Sequence, residues 1–500
     1  MTNQLNGREM GIVRKLKKIK PFYSREYNKF NDISNSKLFY ECVKDEVCYV
    51  AEREKWYLYE DGIWEQKNKA DVNKIAMEFA NALYFYFVNY VQRKMESENK
   101  EDKDRIIEAL KKVSSFCTQR KREVLVKDLQ SLAIKSYTDF DSSLDIINLA
   151  NGVYDLESFK YRSTRADDYF FMKANVEYNP RAKYKRFDDF LKEITNGNQE
   201  TVEYLQMKLG MSLSGRRYEE ALDVWYGATT RNGKSTLADS IVNLLGDYAV
   251  IGDIEVLLNS GKRKGGDANE PLASLVGKRL VVFPEAEKNS LFNIAAIKNM
   301  TGGGNITTRY NFGHQFVFSP QWHLIIHTNF MPRSADDTLI KSGRMNIIPF
   351  DRHFKKEEQD LTLKDQFQTE EAKSYILNWL IKGYKMAKKK KWKIEQPTQI
   401  KNAVLKYAKE SNRELEFISE CFVKEEVVVL KAKEVYSVYK KWCMEFNYSP
   451  LNYSNFTKSL EADPEITIVQ DNHGTKRIKG IKANQEAIKE YDSWDITRGL

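Results

Sequence analysis

The spacing of apolar and polar residues changes several times along the chain, and each change marks a different kind of element. From Trp56 the string WYLYEDGIWEQ sets two alternating runs around Asp61-Gly62, a strong short-range hairpin signal. Apolar residues then recur at helical spacing and predict helices over about 70–97, 101–116 and 120–135. The most apolar stretch, Ile75 to Val91, is interrupted by Glu78, Asn81 and Asn89, so it reads as a core helix and not as a membrane span. Residues 165–220 are mixed, with helical runs in FDDFLKEITNG and VEYLQMKLGMSLSG. From Asp223 onward, short apolar blocks alternate with helical patterns as a parallel α/β sheet requires, the blocks being DVWY, KRLVVF, WHLIIH and MNIIPF. Between the second and third, ITTRYNFGHQFVFSP forms two alternating runs that turn at Phe312-Gly313-His314.

Past this sheet, helices are expected from Glu357 to Lys390, closing in the charged run KKKKWK ahead of Pro397. Val435, Tyr439, Trp442 and Phe446 share one helical face, and Asn452 or Ser454 suits the cap of a helix that turns Phe456 and Leu460 inward. ITIVQDNHGTKRIKGIKA folds back through Asp471 to Gly474, so three helices and a hairpin make a winged-helix-like plan. The expected divisions are a basic, poorly ordered arm (1–40), an α-rich domain with a hairpin (41–136), a collar or linker domain (137–220), the α/β domain (221–355), a helical linker (356–400), the winged-helix-like domain (401–485) and a tail (486–500).

Composition adds little to this and removes some alternatives. With 80 basic and 71 acidic residues the chain is mildly basic, but six of the first twenty residues are basic and one is acidic, which favours a polyanionic partner. Five scattered cysteines give neither a disulfide framework nor a zinc spacing, so a reducing, cytoplasmic setting is expected. The N-terminus lacks the apolar core of a signal peptide, and no membrane association is expected.

The chemistry concentrates around DVWYGATTRNGKSTLADSIVNLLG, a strand, a glycine-bounded loop and an amphipathic helix in succession. Such a loop aims backbone amides at anionic oxygens beside a helix N-terminus. The candidate nucleotide contacts are Gly227, Ala228, Thr229, Thr230, Arg231, Asn232, Gly233, Lys234, Ser235 and Thr236, with Lys234 for the β- and γ-phosphates and Ser235 for Mg²⁺. Five residues separate the two glycines, one more than in the common GxxxxGKS/T spacing. The strand KRLVVF ends in Glu285 and Glu287 at the edge where ligands of open α/β sheets bind. Glu285 is assigned to the metal shell and Glu287 to the attacking water, with the reverse order open. WHLIIHTN delivers Asn329 to the same edge, as a γ-phosphate sensor requires. Arg309, Phe312 and His314 on the hairpin suit phosphate and base contact, although His314 also reads as an exposed turn residue. Arg344, ahead of the last strand, reads either as an ordinary surface residue or, in a ring, as an arginine finger that reaches a neighbouring subunit's phosphate. Lys476, Arg477 and Lys479 on the C-terminal hairpin suit a phosphate backbone, although the same plan also mediates protein contacts. Asp139 and Asp141 form a D-x-D pair, but the first histidine is His314, so a primase-type metal centre is rejected and both are read as turn-forming carboxylates.

Taken together, NGVYDL, LQMKLGMSLSG, NGKST, VVFPEAE, KNMTGGGNITTRY, HTNFMP and GRMNIIPF, over about 137–355, resemble the phage and plasmid primase-helicase family related to the poxvirus primase-helicase, within superfamily 3. The resemblance implies an AAA+-like P-loop ATPase core and a ring, usually a hexamer. It also implies ATP and Mg²⁺ as cofactors, single-stranded and forked DNA as partners, and unwinding with 3′ to 5′ polarity. Lys298 and Arg309 match the segment leading to a DNA hairpin, Asn329 the sensor and Arg344 the finger. The missing primase centre implies a separate primase or other replisome proteins, and the family implies a phage or mobile element in a bacterial host. An initiator or helicase loader without processive unwinding carries the same motifs.

Overall fold

The computed structural model describes residues 5–484 except 95–99, 260–269, 289, 310–314, 335–337, 411–412, 447, 449, 462, 464 and 472–473. It divides into two units, 1–179 with 245–248, and 180–244 with 249–500.

In the first unit the basic N-terminus, expected as an arm, is helix α1 (Gly7–Ile19), closed by a capping box between Asn6 and Glu9. Ile12, Val13 and Leu16 recur on one side of it and enter the core, so its lysines and arginines belong to the outer face of a packed helix. Helix α2 (Asp32–Val43) follows, then strands β1 (Val47–Val50), β2 (Lys55–Glu60) and β3 (Ile63–Lys67). The β2–β3 turn falls at Asp61 and Gly62, whose φ values of 48° and 82° are those of a type I′ hairpin turn. Helices α3 (Lys69–Lys94), α4 (Lys100–Ser115) and α5 (Gln119–Leu132) match the predicted helical runs, and β4 (Ile134–Lys135) completes a sheet of order β3-β2-β1-β4. Ile75, Ala76, Phe79, Leu83 and Phe87 of α3 are core residues, and no described helix is long and apolar enough to cross a membrane. A three-stranded antiparallel sheet, β5 (Ile146–Leu149), β6 (Gly152–Asp155) and β7 (Lys160–Arg162), follows. Asp139 accepts from the Ser136 amide at 3.0 Å, the local capping role expected of it, whereas Asp141 ties down a distant segment by accepting from the Phe171 amide at 3.1 Å.

The second unit begins with α6 (Lys185–Ile194) and α7 (Gln199–Met211) and then builds one parallel sheet. Its strands are β8 (Leu222–Tyr226), β9 (Ala249–Ile251), β10 (Leu280–Phe283), β13 (His323–Thr328) and β14 (Met345–Pro349), in the order β14-β8-β13-β10-β9. Helix α8 (Lys234–Leu245) follows β8, and α9 (Glu270–Ala273) precedes β10. Helix α10 (Ile294–Thr301) leads into an antiparallel pair, β11 (Ile306–Arg309) and β12 (Gln315–Phe318), the two alternating runs expected there, with Arg309 opposite Gln315. The short helix α11 (Thr338–Lys341) precedes β14, and α12 (Leu363–Gln366) and α13 (Glu370–Lys389) follow it. Helices α7 and α13 cross where Gly210 meets Gly383: a Cβ on Gly383 would stand 1.9 Å from the Gln206 carbonyl oxygen. Helix α14 (Thr398–Glu410), expected partly within a linker, puts Tyr407 into the core of the parallel sheet and donates its hydroxyl to the Pro332 carbonyl at 2.6 Å.

The C-terminal part runs α15 (Arg413–Cys421), β15 (Phe422–Lys431), α16 (Ala432–Glu445), α17 (Tyr453–Leu460), β16 (Thr467–Gln470) and β17 (Lys476–Ala483). Its sheet order is β15-β17-β16. Val435, Tyr439, Trp442, Phe456 and Leu460 are buried and Asn452 caps α17, as expected. Phe446 lies just past α16 and is half exposed, and β15 is a strand that the pattern did not predict. Consecutive Lys424, Glu425 and Glu426 break its alternation, and its pairing shifts register between Glu425 and Val429.

Candidate nucleotide site

The loop between β8 and α8 accommodates its extra residue in a tight turn. Arg231 turns left-handed at φ 58° and Gly233 at φ 83°, and Asn232 folds its side chain back so that Nδ2 donates to the Thr229 carbonyl at 2.7 Å. Two glycines make this possible. A Cβ on Gly227 would meet Asn232 Nδ2 at 2.2 Å, and one on Gly233 would meet Ile194 Cγ2 at 2.4 Å. The outer side is braced by the segment after β14: the Phe354 amide donates to the Arg231 carbonyl at 2.9 Å, and His353 Nδ1 faces the Thr230 carbonyl at 2.9 Å. His353, Phe354 and Ile194 were not among the sequence candidates. Nothing in PFDRHF marks it as the partner of a loop more than a hundred residues earlier. Ala228, Thr229, Thr230 and Arg231 form the exposed rim.

Lys234 opens α8 and is 4% exposed. Its Nζ donates to Asn329 Oδ1 at 2.8 Å and lies 3.4 Å from the Gly227 carbonyl oxygen. Asn329 passes the contact on, its backbone amide donating to Glu285 Oε1 at 3.0 Å and its Nδ2 to Glu285 Oε2 at 3.1 Å. The strand order explains the meeting: β13 lies between β8 and β10, so the residue following β13 stands between the lysine following β8 and the carboxylate following β10. Burial pushes the Lys234 ammonium down to about 8, and the Glu285 charge offsets this only in part. This ammonium is buried without a carboxylate in contact, and the two glycines let the loop backbone close tightly on Asn232 and Ile194 beside it. Burial also lowers the proton affinity of His327, a half-buried neighbour of this edge. Ser235, Thr236 and Glu285 offer the oxygen ligands that a hard cation prefers. Glu287 is exposed, and its backbone carbonyl accepts from Ser290; the geometry brings Glu285 to Lys234 and Asn329 and leaves Glu287 outside that chain of contacts.

The remaining candidates lie elsewhere. Arg344 precedes β14, and Met345 pairs with Leu222 at the start of β8, so this arginine sits at the sheet edge opposite the phosphate loop. Its guanidinium donates to Thr301 Oγ1 at 3.0 Å and to Glu220 Oε2 at 2.5 Å, and it lies 3.5 Å from the carbonyl of Lys298. Arg309 ends β11 with a buried Nε that has no hydrogen-bond partner, while Phe312 and His314 lie outside the described residues. On the C-terminal hairpin, Lys476 Nζ donates to Thr457 Oγ1 at 3.0 Å and Arg477 Nε pairs with Asp471 at 3.0 Å, so both cations are engaged within their own domain. Glu219, Asp223 and His323 also converge, but Lys208 Nζ already occupies the space between the two carboxylates.

Comparison with known proteins gives three family matches. Residues 36–196 match a family described as D5 N terminal like, 225–344 a family of unknown function (DUF5906), and 409–498 a family described as poxvirus D5 protein-like. A protein of Acanthamoeba polyphaga mimivirus named "Putative helicase" is 26% identical over 327 residues, 64% of this chain and 33% of that one. Another so named, from Invertebrate iridescent virus 6, is 26% identical over 235 residues, 45% of this chain and 24% of that one. The chain therefore spans a third or less of these two relatives. Among solved structures, the apo NrS-1 C-terminal region is similar at a TM-score of 0.46 and 11% identity, over 87% of this chain and 96% of that one.

Proposed function

We propose, on the premise that this chain is related to the phage and poxvirus primase-helicases, that it is the ATP-driven motor of a replicative DNA helicase. The observation that carries this reading is the contact chain Lys234–Asn329–Glu285 beside a two-glycine phosphate loop. The strand order, with β13 inserted between β8 and β10, supports an AAA+-like core. The order α15-β15-α16-α17-β16-β17, with β17 central in its sheet, supports a winged-helix domain.

Bound ATP and Mg²⁺ would supply the phosphoanhydride and a cation that neutralises developing charge. The chain's own part is positioning and electrostatics. Lys234 holds a desolvated positive charge at the phosphate loop. Asn329, fixed through both its backbone amide and its side chain, keeps Glu285 turned toward that charge. Ser235 and Glu285 would hold the metal, Glu287 or Glu285 would orient water, and Arg344 would act on a neighbouring copy's nucleotide in a ring, most simply a hexamer. Its place at the far edge of the sheet fits action in trans. Lys298, Arg309 and the β11–β12 hairpin would follow single-stranded DNA, with Phe312 and His314 at the turn and Lys476 and Arg477 reaching the duplex once released from Thr457 and Asp471. Primer synthesis would fall to a separate protein of the same phage or mobile element.

The test is displacement of a strand from tailed DNA forks with ATP and Mg²⁺, comparing the protein with Lys234→Ala and 3′ with 5′ tails. Displacement that requires the 3′ tail and disappears in the variant is expected. Hydrolysis without displacement would turn the reading toward an initiator or loader, and absence of hydrolysis would overturn it.

A further inference from the structure

Arg344 does not wait free at its edge of the sheet. One terminal nitrogen donates to Thr301 Oγ1 at 3.0 Å and the other to Glu220 Oε2 at 2.5 Å. A second arginine, Arg217, donates to the carbonyls of Thr301 and Gly302. Both guanidinium groups thus converge on the C-terminal turn of α10, Arg217 on the backbone carbonyls that end the helix and Arg344 on the Thr301 hydroxyl. Beyond that turn come only Gly302, Gly303, Gly304 and Asn305 before β11 begins. Glu220 belongs to the same cluster, its Oε1 lying 3.7 Å from where a Cβ on Gly303 would stand.

The charges in this cluster are unequal. Two guanidiniums share one carboxylate, and that carboxylate is 53% exposed, so the Glu220–Arg344 pair is a weak tether. Burial lowers the Arg217 proton affinity, Glu220 works against this, and the like charge of Arg344 lowers it further. Departure of Arg344 therefore breaks one solvent-screened ion pair and the hydrogen bond to Thr301 Oγ1 and relieves one repulsion, while Arg217 keeps the end of α10 capped.

We propose that Glu220 is a positioning residue that parks Arg344 on the end of α10, and that transfer of Arg344 to a phosphate on a neighbouring copy frees the Gly303–Gly304 bend and the β11–β12 hairpin beyond it. Nucleotide state in one subunit is thereby passed to the DNA-facing hairpin of the next. This inference rests on the trans-acting role of Arg344 proposed above.

The test is Glu220→Gln in the full chain, reading ATP turnover with and without single-stranded DNA alongside the melting temperature. With the tether weakened, turnover without DNA should rise about two- to fivefold, the range that loss of one exposed ion pair allows. Stimulation by DNA should fall by the same factor, melting should stay unchanged, and Glu220→Asp should restore the wild-type ratio. Arg344→Ala should abolish turnover whether or not Glu220 is changed. The inference is overturned if Glu220→Gln matches wild type in both turnover rates, or if it loses turnover as Arg344→Ala does. Absence of hydrolysis in the wild-type protein would remove the motor reading itself, and this inference with it.

Discussion

Two lysines at opposite ends of β8 are both almost inaccessible to solvent, and their surroundings are opposite. Lys208, 1% exposed, meets the carboxylates of Glu219 and Asp223, the latter at 3.1 Å. Asp223 in turn accepts from Asn346 at 2.7 Å and lies 2.9 Å from His323 Nε2. Burial acts to lower the Lys208 proton affinity, but the two carboxylates outweigh it and the net shift is upward. Burial likewise acts to raise Asp223, and Lys208 and His323 overcome it, holding this carboxyl well below the usual range. Lys234, 4% exposed, contacts an amide oxygen and a backbone carbonyl but no carboxylate, and its shift is downward. One end of the strand is thus closed by its own charges, and at the other the ammonium is held by neutral oxygens alone.

The largest test of this contrast is Lys208→Met, which leaves Asp223 and Glu219 facing each other at a buried site. It should destabilise the protein by about 3–5 kcal/mol, measured by denaturant unfolding at neutral pH. The Asp223 carboxyl is depressed in the folded state, so its contribution is complete above the ordinary carboxylate value and is lost as pH falls toward its folded value. Removing Lys208 should flatten that acid limb.

Lys234→Met should act in the other direction. Below pH 8 this lysine is charged in both the folded and the unfolded chain, and the folded state bears the whole desolvation penalty. Between about 8 and 10.5 the folded protein has released the proton and the unfolded chain has not, so stability rises with pH. The variant should therefore be more stable than wild type by roughly 1–3 kcal/mol at pH 7 without nucleotide, and the gain should fade by about pH 10. A loss of stability at pH 7 would break the contrast.

Much of this was legible in the chain because local patterns encode it. The strand-loop-helix run, the strands ending in Glu285 and Asn329, and the paired strands on either side of 310–314 all follow from spacing within a few residues. What escaped depends on distant partners. In sequence the charged N-terminus reads as an arm because six basic residues obscure the Ile12, Val13 and Leu16 stripe. The bracing of the phosphate loop by His353 and Phe354 exists only once β14 pairs with β8. The Lys208 network was likewise invisible, since it joins α7, β8, β13 and β14.

A smaller effect tests that bracing. His353→Ala removes one exposed hydrogen bond to the Thr230 carbonyl, so nucleotide affinity should weaken about two- to fivefold with little change in melting. An unchanged affinity would show that the loop keeps its shape through Arg231, Asn232 and Gly233 alone.

The most direct test of the central claim is calorimetric titration of MgATP into the wild-type protein and into Lys234→Met. Saturable binding by the wild type that is lost in a variant at least as stable as its parent is the predicted result. Equal binding by both proteins, or none by the wild type, would contradict the assignment of this edge of the sheet to a nucleoside triphosphate.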